Sequence, residues 1–332
     1  MDTILFITIL IVGLAVVFDF INGFHDTANA IATSVSTKAL TPRHAIILAS
    51  VMNFAGAMTF TGVAKTITKD IVDPFTLENG SLVIIAALIA AIAWNLITWY
   101  FGIPSSSSHA LIGSIAGAAI AAAGFKALNY SGFSTIILAL ILSPVLAFSV
   151  GFIVYSIFKV VFKNNNLSKT NRRFRNIQVA TAALQAYSHG TNDAQKAMGI
   201  ITMALIVNNY QTSDEIQSWV QFVCALAMAL GTAMGGWKII KTVGGKIMKI
   251  RPVNGVAADL TGAAVIFGAT FSHLPVSTTH VISSSILGVG ASHRLKGVKW
   301  GTAQRMIFTW IITLPISATL AGISYMILNF FL

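Results

Sequence analysis

Two aspartates stand where a carboxylate is costly. Asp26 and Asp193 lie inside long apolar stretches, each three residues after a glycine, Gly23 and Gly190. An ionised carboxylate at membrane depth is expensive unless it is paired or hydrated, so we interpret both as functional groups that could bind a cation, either H⁺, Na⁺ or a divalent metal. The glycines predict an unwound stretch that lines a cavity. The alternative is structural, with Asp193 paired to Lys196 or each carboxylate capping a half-helix.

A second constellation consists of two hydroxyl-rich segments that each follow a proline. Pro104 and Pro275 end apolar runs, and serines and threonines then stand where a new helix would begin. Such residues cap helix N-termini, whose free N–H groups and positive dipole end suit an oxyanion. We therefore predict that these hydroxyl residues bind an anion, with ordinary capping as the alternative. The residues concerned are Ser105, Ser106, Ser107, Ser108, Ser277, Thr278 and Thr279.

Polar residues near the aspartates complete the candidate site. Carboxylate and amide oxygens suit Na⁺, a divalent metal or a proton-bearing carboxyl. Lys196 could neutralise Asp193 or attract an anion, and the sequence does not decide between these roles. His109 and His280 occupy equivalent places and could titrate, bind a metal or hydrogen-bond the backbone. The predicted cation ligands are Asp26, Asn29, Asn53, Asn192 and Asp193, and the predicted anion ligands also include Asn192 and Lys196.

Long apolar segments must position these groups. Of the 332 residues, 55% are apolar and 9% are charged, against about 25% charged in soluble domains. A transmembrane helix needs about 20 mostly apolar residues, and the pattern predicts an all-α integral membrane protein with about ten passes. Basic residues concentrate in loops 38–43, 163–175, 237–252 and 293–305. The positive-inside rule places these loops in the cytoplasm of a plasma-membrane protein, and both termini then face outward.

The candidate residues occur twice because the chain repeats itself. The offset is 167 residues between the two glycines and 171 between the two prolines. We predict a first repeat at residues 1–162, a basic cytoplasmic loop at 163–175 and a second repeat at 176–332, all within one membrane domain. Five crossings per repeat, an odd number, would invert the second repeat relative to the first. Inverted repeats with broken helices are typical of secondary transporters.

The sequence also argues against several classes of function. The net charge is +11, but the basic residues lie in short loops without a basic, aromatic-rich helix, which disfavours nucleic-acid binding. Cys224 is the single cysteine, so no intramolecular disulfide forms. Ser108–His109 and Thr279–His280 are poor nucleophile–base pairs, since adjacent helix residues do not face each other, and no enzyme activity is predicted. A phosphate-binding Gly-x-x-x-x-Gly-Lys-Ser/Thr motif is missing, which disfavours an ATP-driven pump.

These motifs resemble those of the inorganic phosphate transporter (PiT) family, in particular its bacterial low-affinity permeases, over essentially the whole chain. The family signature is of the type Gly-x-Asn-Asp-x-x-Asn-Ala, and residues 190–193 match its first half. The first copy departs from it at His25, where the family usually has Asn. Residues 275–280 match the second family element, and residues 104–109 are a serine-rich version of it.

The resemblance implies symport of inorganic phosphate with H⁺ or Na⁺, without a resident cofactor. It also implies that the duplicated Asp and Ser/Thr elements form the central site. Asn53 stands where sodium-coupled animal relatives have Glu, which favours H⁺, with phosphate moving either free or as a metal complex. A permease for sulfate or another oxyanion and an anion channel are the alternatives. Whether the chain forms a homo-oligomer is left open.

Overall fold

The protein is all-helical. The computed structural model describes residues 3–73, 75 and 79–331, and within these ranges the chain forms twelve α-helices, two short 3₁₀ turns and no β-strand. In chain order the helices are α1 (Thr3–Ser36), α2 (Pro42–Ala57), α3 (Gly62–Lys69), α4 (Gly80–Phe101), α5 (Ser107–Ala123), α6 (Tyr130–Val161), α7 (Leu167–Val207), α8 (Ser218–Met234), α9 (Trp237–Gly245), α10 (Pro252–Phe271), α11 (Thr278–His293) and α12 (Trp300–Phe331).

Helices α1–α6 and α7–α12 follow the same order of lengths. Each half begins with a helix of more than 30 residues, continues with a bent pair, a helix of 20 or 22 residues and a shorter helix, and ends with a helix of 32 residues. A 3₁₀ turn precedes the last helix of each half. This order agrees with the predicted duplication, and the inverted orientation of the second repeat stays a prediction.

Several helices are suited to a bilayer. By length and composition α1, α4, α6, α10 and α12 could each cross a membrane, and the bent pairs α2–α3 and α8–α9 raise the number to seven. Helix α5 is apolar but shorter. The protein is therefore a multi-pass membrane protein, while the predicted ten passes and the outward-facing termini stay predictions.

The two halves interlock instead of lying side by side. Helix α5 packs on α12 and α11 packs on α6, while α1 contacts α8 and α2 contacts α7. Glycines make the last two crossings close. A side chain at Gly231 would overlap the Phe20 carbonyl oxygen, and one at Gly56 would overlap the Tyr187 carbonyl oxygen. Small residues allow such close backbone approach in membrane proteins, where van der Waals packing drives helix association.

The expected unwound stretches at Gly23 and Gly190 are wrong. Helices α1 and α7 run without interruption through both positions. The glycines serve close packing, because an added Cβ would overlap the carbonyl oxygen of Met228 at Gly23 and that of Asn53 at Gly190. The breaks fall elsewhere: α2 and α3 meet at 70°, and new helices begin after Pro104 and Pro275, as predicted.

The expected loop at residues 163–175 is also mostly wrong. Helix α7 already begins at Leu167, because the Asn166 side chain accepts hydrogen bonds from the backbone N–H groups of Ser168 and Lys169. An asparagine N-cap of this kind stabilises the first turn of a helix. Four of the segment's five basic residues, Lys169, Arg172, Arg173 and Arg175, therefore sit on a helical extension. The change from apolar to polar composition does not mark the end of the helix.

The close crossing of α1 and α8 can be tested at Gly231. We expect Gly231→Ala to cost about 1–3 kcal/mol, because the added methyl group overpacks the interface with Phe20. Gly13→Ala is the matched control, since open space surrounds that position of α1 and Ala favours a helix by up to about 1 kcal/mol over Gly. Thermal unfolding in detergent measures both variants. Equal midpoints would show that the glycine is not required at this crossing.

Candidate functional site

The first turns of α5 and α11 are built alike. Ser106 Oγ accepts a hydrogen bond of 3.1 Å from the His109 backbone N–H, and Ser277 Oγ accepts one of 3.2 Å from the His280 backbone N–H. Both serines are therefore N-caps, which is the role that the sequence pattern offered as the alternative to anion binding. The remaining N–H groups of each first turn have no partner within the helix. Capping and anion binding are thus compatible at the same two helix starts.

Two consecutive threonines of α11 hold the two aspartates. Thr278 Oγ1 donates a hydrogen bond of 2.7 Å to Asp193 Oδ2, and Thr279 Oγ1 donates one of 2.8 Å to Asp26 Oδ1. Asn29 Nδ2 in turn donates to Thr279 Oγ1 at 2.8 Å. All five side chains are buried. Residues that the sequence places 167 positions apart, on α1 and α7, therefore meet at one helix start.

Asp193 has a charged partner. Its Oδ1 atom forms an ion pair with the Lys196 ammonium, one turn further along α7, and both side chains are fully buried. The geometry gives Lys196 the neutralising role that the sequence left undecided. A buried pair of this kind is costly to break, because removing one partner leaves an uncompensated charge.

A histidine lies beside each aspartate, and the sequence interpretation did not single out either one as a ligand. His25 Nδ1 lies 2.8 Å from Asp26 Oδ1, and His189 Nε2 lies 3.1 Å from Asp193 Oδ2, close enough for an ionic contact although it is not aligned for a hydrogen bond. The sequence does indicate the contact of His189, because this residue precedes Asp193 by four positions and the two side chains therefore lie on the same face of a helix. His25 was noticed only as a departure from the family pattern.

Two asparagine side chains of the candidate cation site bind protein groups. Asn192 Nδ2 donates to Thr270 Oγ1 at 3.1 Å, and its Oδ1 accepts from the Val276 backbone N–H at 3.2 Å. Asn53 Nδ2 donates to the hydroxyls of Thr27 and Thr232, and Asn53 Oδ1 lies 3.1 Å from His189 Nδ1. Asn192 thus fixes the segment that leads into α11, and Asn53 positions His189.

The serines of the first repeat differ in what they contact. Ser105 Oγ donates to Thr98 Oγ1 at 2.8 Å, and Ser108 Oγ donates to the Val276 carbonyl oxygen at 2.9 Å. Among the residues that the structure describes, the buried Ser107 hydroxyl and the Asn29 Oδ1 atom have no hydrogen-bond partner. A buried polar atom without a partner is unfavourable. These two atoms are therefore free to contact a ligand.

Two histidines join the helix starts. The rings of His109 and His280 lie 4.4 Å apart between centroids, and His280 stacks on Trp310 at 4.1 Å. Trp310 Nε1 donates to the Pro104 carbonyl oxygen at 3.1 Å. This ring stack connects α5, α11 and α12 beside the hydroxyl groups. The contacts give the two histidines a packing role, and their predicted titration or metal binding stays a prediction.

A metal-binding cluster of the histidine–cysteine–carboxylate type is not seen. Within residues 3–73, 75 and 79–331, no three His, Cys, Asp or Glu side chains are grouped so that they could hold a metal ion. Besides His25, the groups near Asp26 are the hydroxyl of Thr279 and the amide of Asn29. Oxygen donors of this kind suit a hard cation better than a transition metal.

The chain matches known phosphate transporters along nearly its whole length. The signature of the phosphate transporter family covers residues 22–321. A protein of Bacillus subtilis (strain 168) described as "Probable low-affinity inorganic phosphate transporter" is 79% identical over 99% of each chain. A protein of Rhizobium meliloti (strain 1021) with the same description is 42% identical over 95% of this chain and 94% of that one.

A solved structure shares the fold. It is described as "The sodium-dependent phosphate transporter" and superposes with a TM-score of 0.87 at 25% identity, covering 98% of this chain and 100% of that chain. This likeness confirms the predicted class of all-α membrane transporter.

The buried ion pair of the site makes a stability prediction. We expect Lys196→Met to cost about 3–5 kcal/mol, because Asp193 is left buried without its ammonium partner. Adding Asp193→Asn should recover part of that loss, since the interior then holds neither member of the pair. The control is Lys69→Met, which breaks a surface pair with Asp214 and should cost less than about 1 kcal/mol. Thermal unfolding in detergent that shows equal losses for Lys196→Met and Lys69→Met would contradict this account.

Proposed function

The chain belongs to the phosphate transporter family, and from this premise we propose that it imports inorganic phosphate across the plasma membrane in symport with a cation. The observation that carries the proposal is the start of α11, where Thr278 and Thr279 bind Asp193 and Asp26 side by side. Anion-binding helix starts and cation-binding carboxylates thus share one buried place. The protein carries its substrate without making or breaking covalent bonds.

The helix starts supply the phosphate side of the site. Free N–H groups and the positive dipole ends of α5 and α11 favour an oxyanion there. The Ser107 hydroxyl, which is buried without a protein partner in the described chain, can donate to a phosphate oxygen. Phosphate bound near the start of α11 would share the Thr278 and Thr279 hydroxyls, which now donate to the two carboxylates.

Charge explains why a cation must accompany the anion. Phosphate carries about one to two negative charges at neutral pH. Lys196 balances Asp193, so Asp26 and the phosphate remain as like charges within a low-dielectric interior, where their repulsion is much stronger than in water. A cation bound at Asp26 removes this repulsion. Neither ion is therefore stable alone in the site, and the two travel together.

We favour H⁺ as the coupling ion, with Na⁺ as the alternative. His189 Nδ1 faces Asn53 Oδ1, and His189 Nε2 faces Asp193 Oδ2. The Nδ1–H group can donate to Asn53 Oδ1, and the ring places an imidazole, a side chain that commonly carries protons, next to the Asp193 carboxylate. His25 places a second imidazole beside the other carboxylate, Asp26. The related structure described as sodium-dependent supports Na⁺, and Asp26 with Asn29 and Thr279 offers the oxygen atoms that Na⁺ would need.

The contact with phosphate is testable at Ser107. Ser107→Ala removes no hydrogen bond within the described protein, so folding should be unchanged while phosphate affinity falls about tenfold or more, as expected for a lost hydrogen bond to a charged group. Ser143→Ala is the matched control, because that buried hydroxyl of α6 also has no partner in the described chain. Uptake of labelled phosphate into proteoliposomes gives the affinity. An unchanged affinity in Ser107→Ala would remove this residue from the site.

The coupling is testable by imposing pH and Na⁺ gradients separately on proteoliposomes. We expect an inward H⁺ gradient to drive phosphate accumulation, and we expect Asp26→Asn to abolish accumulation against the phosphate gradient while downhill exchange survives. Asp193→Asn should also abolish accumulation, but it leaves the buried Lys196 ammonium without its partner, so the amount of folded protein is measured alongside. Asp214→Asn, at an exposed pair with Lys69, serves as the control.

The outcomes of this experiment separate the alternatives. Accumulation that follows only Na⁺ would overturn the choice of H⁺ and leave symport intact. Uptake that is not saturable and ignores both gradients would indicate a channel, and full competition by excess sulfate would indicate a general oxyanion permease. Normal accumulation by Asp26→Asn would show that this carboxylate is not the coupling group.

A further inference from the structure

A polar face of α7 leads away from the site. Its residues follow one another at intervals of three or four positions, which places them on one side of the helix. All are buried. In order from Asp193 towards the basic start of α7 they are His189, Gln185, Thr181 and Gln178. The polar face thus connects the candidate cation site to the end of the molecule that carries the basic segments.

A second polar face leaves Asp26 on α1 and runs to the same end. It continues from Asn29 through Thr33 to Thr37, the residue after the end of α1, again at intervals of three or four. Thr37 Oγ1 donates a hydrogen bond of 2.6 Å to Gln178 Oε1. The faces of α1 and α7 therefore meet near the basic end.

Asp259 of α10 lies where these faces converge. Thr33 Oγ1 donates to Asp259 Oδ1 at 2.6 Å, and Thr181 Oγ1 donates to Asp259 Oδ2 at 3.1 Å. The carboxyl group is buried, and the described residues form no ion pair with it. Two hydroxyls do not balance a buried charge. Asp259 is therefore stable there only with a proton or a bound cation.

Unused polar atoms lie on either side of Asp259 along the path. In the described chain, neither amide atom of Gln185 has a hydrogen-bond partner, and Gln178 Nε2 has none. Both side chains lie against glycines of α10, since an added Cβ at Gly262 would overlap Gln185 and one at Gly255 would overlap Gln178. The glycines leave room for these amides beside Asp259.

The first half shows that the fold does not require this polarity. Subtracting the 167-residue offset from Gln178, Thr181 and Gln185 gives the equivalent positions on α1, which are occupied by Ile11, Leu14 and Phe18. Ile11 and Phe18 are fully buried in the apolar core. The corresponding face of α1 is thus apolar, although both helices fill the same place in the order of elements. The polar face of α7 has a purpose other than packing.

We propose that Thr37, Gln178, Gln185 and Asp259, here called the cation path, conduct the coupling cation from the site to the basic face, with Asp259 as its intermediate binding group and Thr33 and Thr181 holding the Asp259 carboxyl group. The inference rests on the proposed symport. Its chemistry, a carboxylate with hydroxyl and amide oxygens, suits both H⁺ and Na⁺. The basic segments are predicted to be cytoplasmic, so the cation path is the release route of an importer.

The test compares two modes of transport in proteoliposomes. Phosphate–phosphate exchange with the same cation concentration on both sides does not require the cation to leave the protein, whereas net uptake driven by a cation gradient does. We expect Asp259→Asn to keep exchange within about twofold of the wild type and to slow net uptake about tenfold or more, a change of about 1.4 kcal/mol in the release barrier. Running H⁺ and Na⁺ gradients in parallel identifies the ion.

Two further variants separate conduction from packing. Gln185→Leu places an apolar side chain in the path, as Phe18 does in the first half, without breaking a protein hydrogen bond of the described chain, so it should also slow net uptake but not exchange. The double variant Thr33→Val/Thr181→Val removes the hydrogen bonds to Asp259 and keeps the carboxyl group. We expect it to retain most net uptake.

Three results would overturn the inference. They are unchanged net uptake in Asp259→Asn, an equal loss of exchange and net uptake in Asp259→Asn and Gln185→Leu, and a double threonine variant that reproduces the full Asp259→Asn defect. A wild-type protein that exchanges phosphate but shows no cation-driven uptake would instead overturn the proposed symport itself.

Discussion

The cost of burying a negative charge is the constraint on which this structure depends. Four aspartates of the described chain lie in the interior. Asp19 has no hydrogen-bond partner among the described residues, and the other three each meet that cost in a different way. Asp193 is paired with the Lys196 ammonium, Asp26 has His25 and a threonine hydroxyl, and Asp259 has hydroxyls alone. The more completely a carboxylate is balanced by fixed protein charge, the less it needs a mobile cation. The duplicated motifs around Asp26 and Asp193 therefore differ in how strongly each carboxylate requires a bound cation.

The site exists only because the halves interlock. Asp26 belongs to α1 and Asp193 to α7, but both are held by the first turn of α11. Glycine contacts bring α1 against α8 and α2 against α7, and this packing places Asn53 of α2 next to His189. The second half holds Asp193 with its own Thr278 and Lys196, whereas Asp26 of the first half finds its threonine partner, Thr279, only in the second half.

The sequence predicted the parts of the site that depend on local chemistry. Proline followed by serine or threonine correctly indicated the starts of α5 and α11, and the duplicated aspartates were found because charge is rare in apolar segments. The roles of His25 and His189 could not be predicted, because they depend on which side chains neighbouring helices bring close. The glycines led to the wrong expectation of an unwound stretch, because a glycine required for a flexible backbone and one required for close packing look the same in a sequence. Only the structure shows that Gly23 packs against another backbone.

The exchange of partners between the halves has a consequence for how the protein is made. Helix α5 ends at Ala123, but its main partner α12 begins at Trp300. A ribosome that adds about 5–20 residues per second needs roughly 10–35 s to cover that interval, and α5 waits in the membrane without its partner for that time. Helix α11, in contrast, emerges when α6 is already present. Biogenesis is therefore asymmetric although the architecture is duplicated. In a nascent chain that stops before Trp300, α5 of the first half lacks its partner α12 and is exposed to membrane proteases.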